Sequence, residues 1–290
     1  MQIKNVSFIG LGVMGYPMAG HLKKNNLEVT VFNRTESKSK QWVEEFNGKK
    51  ANSPGEASKI AEIIFICVGR DEDLREVMEG NNGILQNASK NAIIVDHTTA
   101  SAKIAREFNK KAKELDLFFL DAPVSGGQAG AESGKLSIMI GGEKEIFNSV
   151  EPVLKSYGKT IELIGDSGSG QVAKMINQIC IAGLVQGLSE ALAFGKKSKV
   201  DMEKVLKVIS KGAAQSWQME NRYRTMLDGK FDYGFAVDWM RKDLSICFHE
   251  AKKNGASLPI TEIVDKYYEK IQKNGGNRLD TSSLMTLVDK

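Results

Sequence analysis

Val6-Ser7-Phe8-Ile9-Gly10-Leu11-Gly12-Val13-Met14-Gly15 is the stretch that decides the fold. Its first four residues suit a buried strand, its glycines follow in G-x-G-x-x-G spacing, and Met14 to Asn25 reads as a helix. Such glycines also occur in ordinary tight turns. Here, however, a strand precedes them, a helix follows, and Glu28-Val29-Thr30-Val31-Phe32 supplies a second strand on schedule. In that setting Gly10 permits the turn, Gly12 lets a pyrophosphate approach the backbone, and Gly15 lets the helix pack closely on the sheet. The helix N-terminus offers N–H groups and the positive end of its dipole to phosphates. The stretch predicts a dinucleotide site.

Working outward, the same alternation repeats. A charged helix is expected over Glu36 to Phe46, and Ile63 to Val68 is a continuous apolar run of the kind a strand buried on both faces requires. Ala92–Asp96, Leu117–Asp121, Leu136–Ile140 and Thr160–Ile164 read as further strands, with an amphipathic helix over Ser101 to Lys113. After Asp166 the pattern changes to helices alone: Gln171–Lys197, Asp201–Lys211 with Asp201 as N-cap, Gln215–Leu227, Ala236–Asn254, and Pro259–Lys273 with Pro259 in its first turn. The expectation is an α/β N-terminal Rossmann-type doubly wound sheet over residues 1–165, followed by an all-α C-terminal domain over 166–290.

Composition narrows the classes. A chain of 290 residues with 40 Lys and Arg against 36 Asp and Glu carries a formal charge of only +4. Its short lysine pairs lack aromatic interleaving, which argues against nucleic acid as a partner. Cys67, Cys180 and Cys247 lie far apart in apolar runs with no metal-ligand spacing, so buried free thiols and no metal site are expected. The opening segment is too briefly apolar for a membrane span and lacks a secretory cleavage pattern, which points to a cytoplasmic protein.

Three further segments carry chemistry. Asn33-Arg34-Thr35 ends the second strand, where an NAD site usually places Asp or Glu against the ribose hydroxyls. Asn33 removes the charge that would repel a 2′-phosphate and Arg34 can pair with it, so NADP is favoured and NAD is the alternative. Ser125-Gly126-Gly127 follows a strand end and exposes N–H groups and a hydroxyl suited to a carboxylate. Lys174 shares a helical face with Asn177 and Gln178, among the apolar Val172, Met175, Ile176 and Ile179. Partial burial and the nearby helix N-terminus both disfavour its charge, which is the expected tuning of a general acid–base.

On these residues the sequence resembles the β-hydroxyacid dehydrogenase family, which includes 3-hydroxyisobutyrate dehydrogenase and the tartronate, glyoxylate and succinic semialdehyde reductases. The resemblance rests on FIGLGVMGYPMAGHL at Phe8–Leu22, DAPVSGGQAGAESGKLSIMIGG at Asp121–Gly142, GSGQVAKMINQ at Gly168–Gln178 and WMRKDL at Trp239–Leu244. It implies a soluble NADP- or NAD-dependent oxidoreductase that interconverts a small hydroxy acid and its semialdehyde or oxo acid. Gly10, Leu11, Gly12, Met14 and Gly15 would line the cofactor, with Asn33, Arg34 and Thr35 at the adenosine end, Val68 and Gly69 alongside, Thr99 near the nicotinamide, and Lys242 reaching it from the helical domain. Ser125, Gly126 and Gly127 would hold the substrate carboxylate, Asn177 and Gln178 would orient the substrate, and Lys174 would move the proton. The resemblance also implies a homodimer or homotetramer. Two departures bear on substrate: Gln178 stands where the family often has a second Asn, and His97 where it usually has Ser. The alternatives are an NAD-dependent 3-hydroxyisobutyrate or serine dehydrogenase, and a non-catalytic dinucleotide-binding module.

Overall fold

The computed structural model describes residues 3–289. The chain forms two compact units, one ending at Lys174 and the other beginning at Met175. In chain order the first holds β1 (Asn5–Ile9), α1 (Gly15–Lys24), β2 (Glu28–Phe32), α2 (Glu36–Phe46), β3 (Lys49–Lys50), α3 (Pro54–Ser58), β4 (Ile63–Ile66) and α4 (Asp71–Glu79). It continues with β5 (Ile93–Asp96), α5 (Ala102–Glu114), β6 (Phe118–Asp121), β7 (Val124–Ser125), α6 (Gly127–Glu132), β8 (Leu136–Gly141), α7 (Lys144–Leu154) and β9 (Gly158–Gly165). Among the described residues the strands make one sheet in the order β3-β2-β1-β4-β5-β6-β8-β7, and β9 also pairs with β8. Pairing is parallel from β3 through β6, antiparallel where β8 meets β6 and β7, and parallel again between β8 and β9.

Helices cover both faces of this sheet. Val6, Phe8, Val31, Phe65 and Val95 pack on one side with Met18 and Leu22 of α1 and Trp42 of α2. Ile9, Ile64, Ile66 and Ile94 pack on the other with Leu74 of α4 and Ile104 and Phe108 of α5. Successive side chains of β4 and β5 are all buried between the two helix layers, which is why these central strands read as nearly unbroken apolar runs. Each such buried side chain contributes about 1.5–3 kcal/mol relative to exposure. The order of strands reverses at β1, whose neighbours are β2 and β4. In open α/β sheets ligands bind beyond the carboxyl ends of the strands at such a reversal.

Beyond β9 the named elements are helical. α8 (Ser169–Lys197) begins in the first unit and continues into the second, followed by α9 (Met202–Ile209), α10 (Trp217–Leu227), α11 (Val237–Asn254), α12 (Pro259–Lys273), a 3₁₀ turn (Thr281–Leu284) and α13 (Met285–Val288). Asp201 caps α9 by accepting from Lys204 N, and Pro259 opens α12, as expected. The closing 3₁₀ turn and α13 carry too short a pattern to be read from sequence.

Ala182 and Val185 of α8 join Met240 and Leu244 of α11 and Tyr268 of α12 in one cluster. Leu188 and Leu192 join Leu206 of α9 and Met226 of α10 in another. By length and apolar character α8 is the one described helix that could cross a membrane, and half of its most apolar stretch is buried by protein. The opposite side of α8 exposes Ile176, Leu184 and Phe194. Cys180 lies on that side and is exposed, and Cys67 is half-buried, so of the three thiols expected to be buried only Cys247 is. An apolar run on a helix turns through every direction, so its residues do not share one burial.

Candidate active site

At the reversal the backbone leaves β1 through Gly10, whose φ is +97° and whose Cβ would fall 2.3 Å from the carbonyl oxygen of Cys67 at the end of β4. No side chain fits there. At Gly15 a Cβ would sit 2.0 Å from Gly10 O and 2.9 Å from the Phe8 ring, so close packing of α1 on β1 requires this glycine too. Gly12 differs: a Cβ there would meet no protein atom within 4 Å. The fold does not need glycine at that position, whereas a pyrophosphate approaching the backbone would. The turn therefore fits a dinucleotide.

Asn33 closes this turn onto β2. Its Oδ1 accepts from Leu11 N at 2.8 Å, and its Nδ2 donates to Thr35 O at 3.0 Å. Its amide is thus committed to shaping the loop. Arg34 projects with 91% of its side chain exposed and lies 3.6 Å from Asp73. Thr35 is the extended residue before α2. Across the reversal, Val68 N donates to Thr98 Oγ1 at 3.1 Å, which holds the Val68-Gly69 segment against the end of β5.

The ends of β5 and β6 carry two buried carboxylates paired in register, Asp96 and Asp121. Asp96 Oδ1 accepts from Thr98 N at 2.9 Å, while its Oδ2 is buried without a partner. Burial pushes Asp96 up to about 7, and the charges of Asp121 and Asp71 push the same way. Asp121 receives Gly168 N on Oδ1 at 2.7 Å and Gln171 N on Oδ2 at 2.9 Å. Burial still pushes it up to about 6, opposed by those backbone N–H groups. His97 is buried and stacked on Phe65, with ring centroids 5.9 Å apart. Its Nδ1 lies 2.6 Å from Ala122 O and its Nε2 lies 2.8 Å from the Tyr157 hydroxyl. Ala122 O can only accept, so Nδ1 carries the proton and Nε2 accepts from Tyr157. Burial lowers His97 to about 4 and keeps the ring neutral.

Beyond β6, Ser125 ends β7 and leads to Gly126 and Gly127, with φ of +134° and +61°. This turn opens α6 with backbone that L side chains rarely adopt. Lys174, in the second turn of α8, is only 8% exposed. In the second unit, Gln178 Oε1 accepts from Asn177 Nδ2 at 2.8 Å, and Gln178 Nε2 donates to Asp243 Oδ2 at 2.6 Å. The ammonium of Lys242 lies 2.8 Å from Asp243 Oδ1, so Asp243, which the sequence did not single out, joins Gln178 to Lys242. Asp121 as a cap, Asp96 and Gln171 also escaped the sequence. Their only local signal is a charge or amide inside an apolar strand end or helix start.

Residues 5–165 match the family described as the NAD binding domain of 6-phosphogluconate dehydrogenase. Residues 168–288 match the one described as NAD-binding of NADP-dependent 3-hydroxyisobutyrate dehydrogenase. The chain belongs to the β-hydroxyacid dehydrogenase family. It is an NAD(P)-dependent oxidoreductase acting on CH–OH groups, as its relatives are. It is 56% identical to an uncharacterised oxidoreductase of Shewanella frigidimarina over 98% of both chains. It is 34% identical to the 2-hydroxy-3-oxopropionate reductase of Escherichia coli, over 98% of this chain and 97% of that one. The Mycobacterium tuberculosis 3-hydroxyisobutyrate dehydrogenase, solved with L-serine, superimposes with a TM-score of 0.89 at 25% identity over the full length of both chains.

Proposed function

We propose that this enzyme uses NADP(H) to interconvert a small β- or γ-hydroxy acid and its semialdehyde or oxo acid, with Lys174 as the general acid–base. The observation that carries this reading is the placement of Lys174: a buried ammonium-bearing side chain one turn beyond a helix start that is bonded to Asp121, the residue leading into Ser125-Gly126-Gly127. The reduced or oxidised nicotinamide, when bound, supplies or accepts the hydride. Gly10, Leu11, Gly12, Met14 and Gly15 would hold its pyrophosphate, Val68, Gly69 and Thr99 would hold the nicotinamide half, and Lys242 is a further candidate for binding it. Arg34 supports the NADP preference: its ion pair with Asp73 is long, at 3.6 Å, and exposed, so redirecting the guanidinium to a 2′-phosphate costs little.

In reduction Lys174 delivers a proton to the oxygen of the carbonyl; in oxidation the neutral amine takes the hydroxyl proton. Ser125, Gly126 and Gly127 anchor the substrate carboxylate, and Asn177 and Gln178 set its orientation. The names of the relatives support this substrate class, since 3-hydroxyisobutyrate, 2-hydroxy-3-oxopropionate and 2-(hydroxymethyl)glutarate each carry a carboxylate and oxygen on the β-carbon.

The test follows absorbance of the reduced nicotinamide with NADPH and NADH against 2-hydroxy-3-oxopropionate, glyoxylate and succinic semialdehyde, and with serine and 3-hydroxyisobutyrate in the oxidising direction. Turnover on a semialdehyde favouring NADPH is expected, and Lys174→Ala should lower kcat by about 10³-fold while NADPH still binds. A Lys174→Ala enzyme within about tenfold of the parent would remove the lysine from the mechanism.

A further inference from the structure

The start of α8 is held by more than a helix needs. Asp121 accepts Gly168 N and Gln171 N, partners 47 and 50 residues along the chain, and Gly170 N also bonds it. Glycines wall the carboxylate. A Cβ at Gly141 would lie 2.6 Å from Asp121 Oδ1, and one at Gly170 would lie 2.9 Å from Asp121 Oδ2 and 2.5 Å from Met139 O. Gly168, at φ +91°, turns the chain into this box.

Gln171, fully buried, extends the grip from the helix side. Its Oε1 accepts from Ala100 N at 3.0 Å, and its Nε2 donates to Thr98 O at 2.8 Å. The backbone on both sides of Thr99 is therefore fixed by one amide group. Three residues beyond Gln171, one helical turn, stands Lys174.

We infer that Asp121 and Gln171 are positioning residues that set Lys174 against the Thr99 segment, so that the proton-transferring amine and the nicotinamide-side backbone are held in one rigid frame. This rests on the role proposed above for Lys174. Neither residue needs to touch substrate. Asp121 sets where α8 begins and which way it points, and Gln171 sets its rotation relative to the end of β5. A misplacement of the amine by about 1 Å costs turnover far more than binding.

The test uses the full-length Asp121→Asn and Gln171→Met variants, which keep side-chain volume, beside Lys174→Ala. Two readouts are taken: the split between kcat and the NADPH dissociation constant, and amide hydrogen exchange over residues 169–175. Both variants should lose about 10- to 100-fold in kcat with NADPH affinity within about threefold of the parent, and exchange at the start of α8 should speed by at least about tenfold. Unchanged exchange overturns the inference whatever the role of Lys174. Normal kcat in both variants beside an inactive Lys174→Ala enzyme overturns it as well. An active Lys174→Ala enzyme is instead a failure of the proposed lysine role, and exchange alone then decides the placement. Because Asp121→Asn can fail to fold, Gln171→Met carries the test independently.

Discussion

The two halves of the sheet's carboxyl edge are built by opposite means. At β1 and β4 the site is made by leaving side chains out: Gly10 and Gly15 have no room for a Cβ, Gly12 has room but uses none, and one neutral amide, Asn33, closes the loop. At β5 and β6 it is made by putting charge in. Asp96 and Asp121 sit side by side in the interior, each pushed toward neutrality by burial, with His97 held neutral beside them. An edge made of absent atoms admits a ligand's phosphates. An edge made of buried polar groups tolerates few alternative arrangements, because each unsatisfied group costs about 1–3 kcal/mol, and so it fixes a neighbouring helix rigidly.

The largest effect that would break this contrast is expected at Gly12. A Gly12→Ala protein should melt within about 3 °C of the parent, since the added methyl meets no protein atom, yet bind NADPH about 100-fold more weakly. Isothermal titration beside a thermal melt checks both halves. A large loss of stability would mean that the turn, like Gly10 and Gly15, is packed for the fold alone.

At the charged edge the effects should appear as pH dependence of stability. Asp96 keeps its proton in the folded chain up to about 7 but releases it near the ordinary carboxylate value when unfolded, so its burial costs stability as pH rises through that interval. Asp96→Asn should therefore gain on the order of 2 kcal/mol near pH 8 and nothing near pH 4, measured by urea unfolding. His97 runs the other way. The unfolded chain protonates it near its ordinary value of 6.5 and the folded chain only near 4, so stability is lost as pH falls through that window. His97→Gln should flatten that acid-side loss, although it weakens the fold at neutral pH by opening the contact with Tyr157. Parallel pH profiles for parent and both variants would show that these groups do not titrate between folded and unfolded states.

The smallest change sharpens the contrast at its outer limit. Arg34→Ala should raise the KM for NADPH about tenfold and leave that for NADH unaltered, because the side chain is exposed and its ion pair with Asp73 is long. Equal effects on both cofactors would confine Arg34 to the protein surface.

Much of this was legible in the chain. The glycine turn, the parallel strands, the cap at Asp201, the helix start at Pro259, and Lys174 all rest on neighbours within a few residues, where spacing alone carries the signal. Cys180 shows where that stops, since an apolar run on α8 does not reveal which side of the helix the fold will cover. Gln178 was legible as a polar residue on the lysine's helix, but not its bond to Asp243, which lies 65 residues away.

By itself the sequence determined that this chain builds a doubly wound sheet and then helices, with a dinucleotide turn at its start and a lysine just past the transition. Those features follow from periodicity and from residues that only one backbone conformation accommodates. Only the tertiary structure decided that Asp121 and Gln171 hold the lysine's helix, that His97 is a neutral packing group, and that Asp243 bridges Gln178 to Lys242. Burial and hydrogen-bond partners are properties of residues brought together from distant parts of the chain, and no local pattern encodes them.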